Sequence, residues 1–132
     1  LLHFISQKDA ASIPHAIKNN IKHQNIKTMN LPKVITDLVM AQNSFSSNAY
    51  ADCFTETAVV FDEGKTYKGK KEIQNWIDKA NKEYQATMKP LEYSEKDHTL
   101  KAEVSGTFPG SPLVLNYHYE FQEGLIELLE IV

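Results

Sequence analysis

The spacing of apolar positions changes period along the chain, and each change marks an element. From residue 33, Val34, Ile35, Leu38, Val39, Gln42 and Phe45 recur at intervals of three and four, mostly apolar. That is the spacing of one face of a helix. Pro32 suits the first turn, where the N–H that proline lacks would have no partner anyway. Ser46-Ser47-Asn48 then breaks the run and supplies a cap for a second, shorter helix through Ala49, Tyr50, Ala51 and Phe54. Residues 57–61 (TAVVF) predict a short strand, Asp62-Glu63-Gly64-Lys65 a turn, and Thr66-Tyr67 a brief return strand ended by Gly69. Ile73, Trp76, Ile77, Ala80 and Tyr84 restore the helical period, with Lys70, Lys71, Asn75, Asp78, Lys79 and Lys82 on the wet face.

From residue 86 the period becomes two. One strand is predicted near 87–95. Leu100, Ala102, Val104 and Phe108 alternate with polar residues, as do Leu113, Leu115, Tyr117, Tyr119 and Phe121, and LIELLEIV closes the chain. Asp97-His98, Pro109-Gly110-Ser111-Pro112 and Glu123-Gly124 supply three turns between these strands. Successive short turns predict an antiparallel meander, since parallel neighbours need long crossovers. The fold class is therefore α+β.

Composition changes this picture in three places. All 14 basic residues are lysines, and the net charge is −3. Arginine is the preferred planar fork for phosphate or carboxylate, so nucleic acid is not an expected partner. No apolar run reaches the roughly 20 residues that cross a bilayer as a helix, so no membrane partner is expected. Cys53 is the only cysteine, which excludes a disulfide framework and fits a cytoplasmic location. Residues 1–28 carry Lys8, Lys18, Lys22 and Lys27 against Asp9 alone. They read as a basic extension, flexible or added to the natural chain, with Met29 as a natural start. Residues 29–132 carry the domain. His3, His15 and His23 are too widely spaced for a metal site, and no metal or other cofactor is expected.

The order helix, short helix, short hairpin, helix, meander resembles the nuclear transport factor 2-like superfamily, and within it the SnoaL-like group. Tyr50, Phe54, Ala58-Val59-Val60, Asp62, Gly64, Tyr67, Gly69, Ile73 and Trp76 carry the resemblance, with FPGSP at 108–112 and the strand after Gly124. It spans about residues 30–132. It implies a cone-shaped fold, in which a strongly bent antiparallel sheet wraps around three helices and leaves an apolar pocket. It also implies pairing of two copies through the outer sheet face, here polar with Lys101, Glu103, Ser105, Thr107, Asn116, His118 and Glu120. The superfamily holds isomerases, cyclases, dehydratases, adaptors and oligomerisation domains, so fold alone does not select a function.

Asp62 carries the chemical question. In the ketosteroid-isomerase branch the general base is an aspartate at the end of the first strand, and Asp62 has the matching place. If the strand alternates, Ala58, Val60 and Asp62 share the face that the family turns inward. The competing reading is a turn cap, with the Asp62 carboxylate accepting the Gly64 N–H. Leu38 stands where that branch has its first oxyanion-hole tyrosine, and leucine donates nothing. Tyr117 falls near the second donor. The candidate catalytic residues are thus Asp62 and Tyr117. The candidate pocket residues are Trp76, Tyr50, Phe54, Val60 and Tyr119. Three functions remain open: a protein that binds a small apolar molecule, a cofactor-free isomerase, cyclase or dehydratase using Asp62, and a dimerising interaction module without catalysis.

Overall fold

The computed structural model describes residues 30–132. The basic extension over 1–28, its three histidines and Met29 lie outside the described residues.

Helix α1 (Lys33–Asn43) buries Val34, Ile35, Leu38, Ala41 and Gln42 along one face. Phe45, expected on that face, lies beyond the helix in a left-handed conformation (φ 56°) and is exposed. Helix α2 (Ser47–Ala51) starts at Ser46, whose hydroxyl accepts the Ala49 N–H. It stops three residues earlier than expected, so Phe54 opens the next strand instead of closing the helix. Strand β1 (Phe54–Asp62) and strand β2 (Lys65–Lys68) form a hairpin, with Asp62 opposite Lys65. Its loop, Glu63-Gly64, has φ 51° and 83°, the two positive values that a type I′ turn demands. Helix α3 (Gly69–Tyr84) buries Ile73, Trp76, Ile77 and Ala80. Near its start Glu72 accepts the Lys68 N–H at 2.8 Å, and left-handed Gln85 ends it.

The rest of the chain is strand: β3 (Thr87–Ser94), β4 (Thr99–Ser105), β5 (Leu113–Gln122) and β6 (Leu125–Ile131). Phe108, expected to extend the β4 alternation, is buried in the loop that follows. The six strands make one sheet in the order β2-β1-β6-β5-β4-β3. The meander is as expected, but the sheet is mixed. The chain's last strand, β6, lies beside β1 and runs parallel to it. Parallel pairing needs a long crossover, and everything from β2 to β5 serves as one.

Register shifts interrupt β1 against β6, β3 against β4, and β5 against β6. Each such irregularity bends its strand and increases the local twist. One contiguous core lies on the face beneath the helices, with Leu38, Ile73, Ile77, Leu100, Leu115 and Leu129 fully buried.

Candidate functional site

Strand register places the candidate residues in two rows across the helix-covered face. In the first, Asp62 on β1 pairs with Ile131 on β6, Ile131 with Tyr117 on β5, Tyr117 with Leu100 on β4, and Leu100 with Tyr93 on β3. In the second, Tyr67 pairs with Val60, Val60 with Leu129, and Leu129 with Tyr119. Side chains of paired residues project to the same side of a sheet. Asp62 and Tyr117 therefore face the same space across one isoleucine, about 9.5 Å apart at their Cα atoms by two strand spacings.

The alternation Ala58, Val60, Asp62 holds, and all three are completely buried. The turn after Asp62 closes through its backbone pairing to Lys65. The carboxylate goes inward, with 0% of the residue exposed. Its place at the end of an apolar strand is the main chemical feature of this face.

Aromatic rings pack along this face. Tyr50 lies 5.6 Å from Phe54 and 6.2 Å edge-on from Trp76, and Trp76 stacks on Tyr67 at 5.4 Å. On β5, Tyr117, Tyr119 and Phe121 form a ladder at 6.5 and 5.8 Å. Burial raises the Tyr119 hydroxyl well above the usual phenol range, and Tyr50, Tyr117, Tyr93 and Cys53 reinforce the shift. Burial also raises Tyr50, with help from Tyr117 and Cys53, and burial alone raises Tyr117. All three are neutral O–H groups at physiological pH. Among the described residues, Trp76 Nε1 and the hydroxyls of Tyr93 and Tyr119 have no hydrogen-bond partner.

Other polar groups belong to the frame. Gln42 Nε2 donates to Asn81 Oδ1 at 2.9 Å and to the Ala86 carbonyl at 2.6 Å, tying α1 to α3 and to the chain entering β3. Burial pushes the Cys53 thiol up to about 11, with Asp37 and Asp52 adding to the shift, so it is no thiolate nucleophile. His118 lies on the opposite face of β5, where its Nδ1 meets Thr99 Oγ1 at 3.2 Å. A separate concavity of about 250 Å³ lies between Lys33, Asp37, Asp52, Cys53 and Leu125.

The sequence reading names Phe54, Val60, Asp62, Tyr117 and Tyr119 from the sheet and Tyr50 and Trp76 from the helices. It misses Tyr67 and Tyr93. Tyr67 is visible only once the hairpin register sets it beside Val60. Tyr93 is hidden by the irregularity between Pro90 and Glu92, which moves the inward phase by one residue.

No family model and no curated protein matches the chain. Solved structures do. A candidate polyketide cyclase from Sinorhizobium meliloti is 34% identical, with a TM-score of 0.72 over 77% of this chain and 95% of that one. A protein with a ketosteroid isomerase-like fold from Catenulispora acidiphila, solved with trimethylamine, is 19% identical, with a TM-score of 0.64 over 78% and 86%. A nuclear transport factor 2-like protein of unknown function from Cytophaga hutchinsonii is 16% identical, with a TM-score of 0.61 over 80% and 92%.

Proposed function

The chain belongs to the nuclear transport factor 2-like superfamily, and from that premise we propose that it binds a small, largely apolar molecule between the helices and the inner sheet face. One observation carries the reading. Asp62, Tyr117, Tyr119 and Trp76 are polar or amphipathic groups buried on the same apolar face. Ligand sites have this composition: apolar walls with a few convergent polar atoms. Trp76, the chain's only tryptophan, is an internal reporter. Titration of neutral two-ring aromatic compounds should quench its fluorescence saturably, at micromolar concentration for the best of them. If none saturates, the reading is wrong.

A second reading follows from the first row. Asp62 acts as a general base on a carbon acid, and the neutral Tyr117 hydroxyl donates to the oxygen that gains charge. A carboxylate and a proton donor flanking Ile131 suit an enolisation step, as an isomerase, cyclase or dehydratase requires. Deuterium exchange at the α-carbon of 2-tetralone in heavy water tests it. Asp62→Asn should slow protein-dependent exchange by about a hundredfold or more. Equal rates for the two proteins would leave binding as the function.

The outer face suits pairing of two copies. Phe61 is exposed there, in one row with Glu130 and His118. A sedimentation measurement that finds only monomer at every concentration reached would remove this part of the reading.

A further inference from the structure

The basic extension repeats one dipeptide three times within IKNNIKHQNIK at 17–27: Ile17-Lys18, Ile21-Lys22 and Ile26-Lys27. Each pair offers an apolar side chain beside a cation. Residues 1–28 hold four lysines against one aspartate, whereas residues 29–132 hold ten lysines against sixteen acidic residues. The two parts of the chain therefore carry opposite net charge.

The concavity of about 250 Å³ between α1, α2 and the β5–β6 turn has the matching composition. Val34, Ala49 and Leu125 are its apolar lining, and Asp37 and Asp52 are its acids. Lys33 is already held by Asp37 at 2.9 Å. Asp52 is exposed and takes part in no ion pair among the described residues. Glu123, next to Gly124 in the turn, is a third carboxylate of the same kind. The volume is below the roughly 300–1,000 Å³ of small-molecule sites, so it suits a few side chains of a segment better than a free ligand. Position favours the same chain. Lys33 and Val34 line the concavity, and Lys27 is six residues before Lys33, a reach of at most roughly 22 Å. So short a tether gives a millimolar effective concentration, enough to populate a contact too weak for a free peptide.

We propose that residues 17–28 of this same chain dock on that concavity, with isoleucines of the Ile-Lys pairs against Val34 and Leu125 and lysines beside Asp37 and Asp52. The contact ties the extension to α1, α2 and the start of β6 at once. It is independent of what binds the inner sheet face, and neither reading falls with the other.

The test keeps the full chain. Cys53→Ala removes the only native thiol, exchanging one small apolar side chain for another. Asn20→Cys then carries a nitroxide between the first two Ile-Lys pairs. Amide signals of Val34, Asp37, Ala49, Asp52 and Leu125 should lose most of their intensity. Those of Thr107 and Gly110, in the loop before β5 and so at the opposite end of that strand, should keep theirs. A mixture of isotope-labelled chain without nitroxide and unlabelled chain carrying it should show no loss. Lys18→Gln, Lys22→Gln and Lys27→Gln together should restore the signals, as should Ile17→Ser, Ile21→Ser and Ile26→Ser together. Asp52→Asn should restore them in part. Glu83→Gln removes the same charge near Thr107 and should not. A second measurement leaves Cys53 in place: the triple lysine variant should shift the Asp37, Asp52 and Leu125 amides from their positions in the parent chain.

Full intensity around the concavity, with no amide shift in the lysine variant, would overturn the proposal. Equal loss in the mixture would overturn the same-chain assignment in favour of a second copy. Loss that reaches Thr107 and Gly110 alike, or that Glu83→Gln relieves as well as Asp52→Asn does, would replace the site with a diffuse attraction between opposite charges.

Discussion

Gly106 sits where β4 leaves the sheet and passes under the end of α3. A Cβ built there lies 2.5 Å from the Tyr84 carbonyl oxygen, 3.1 Å from Ala86 Cα and 3.2 Å from the Phe108 ring. The first two are backbone atoms and cannot swing aside. Gly106→Ala should therefore lower stability by about 1–3 kcal/mol, as overpacking does, measured by urea unfolding. Gln42 makes the opposite kind of point, because it is a polar group within the core. Gln42→Leu strands Asn81 Oδ1 and the Ala86 carbonyl, at a cost of about 1–3 kcal/mol for each unsatisfied group. Gln42→Leu with Asn81→Leu should recover part of that loss, because a pair removed together leaves less unpaired than one partner removed alone. Gln42 falls on the helical period, so its burial is legible in the sequence; its partners 39 and 44 residues away are not. Asp62 was legible in the same partial way. Period two fixed which face it takes, and the structure adds that the residue is wholly buried.

At the scale of elements, the edges of the sheet show how the chain avoids open-ended pairing. Asn43, the last residue of α1, donates through Nδ2 to the Met88 carbonyl at 3.0 Å, and its Oδ1 accepts the Met88 N–H at 2.7 Å. One side chain thus stands in for a neighbouring strand on β3. The other edge, β2, is only four residues long and carries Lys65 and Lys68. Short edges, lysines and covering groups are the usual defences against edge-to-edge association. Asn43→Ala should cost about 1–2 kcal/mol for two lost hydrogen bonds and increase aggregation on heating, followed by light scattering. A variant as stable and as free of aggregates as the parent would contradict this role. Element order, the Glu63-Gly64 and Glu123-Gly124 turns and the long helix were legible, because periodicity and turn chemistry are local signals. The parallel pairing of β1 with β6 was not, since it joins segments about 70 residues apart. The register shifts were not legible either, and one of them concealed Tyr93.

Across the whole molecule, the buried phenols link stability to alkaline pH. Tyr50, Tyr117 and Tyr119 have folded-state pKa values raised above the ordinary 10.0. The unfolded chain therefore loses these protons first as pH rises. The stability they confer is fully present below about pH 10 and is lost as pH climbs from there toward their folded values. Each phenol should remove about 1.4 kcal/mol per pH unit in that window. Urea midpoints should accordingly hold steady across neutral pH and fall steeply above pH 10. Phenolate absorbance for these three groups should appear only with unfolding. A flat stability profile to pH 11.5 would mean that these hydroxyls are hydrated.

The central claim is that the inner face, with Asp62, Tyr117, Tyr119 and Trp76, is where a small molecule binds. The most direct test is an amide-shift map of the assigned protein titrated with 2-acetylnaphthalene. The account predicts saturable shifts concentrated at Val60, Asp62, Trp76, Tyr117 and Tyr119, the residues that the two rows and the aromatic contacts bring together. Shifts confined to the concavity around Lys33, Asp37, Asp52 and Leu125, or no saturable shift at all, would contradict it.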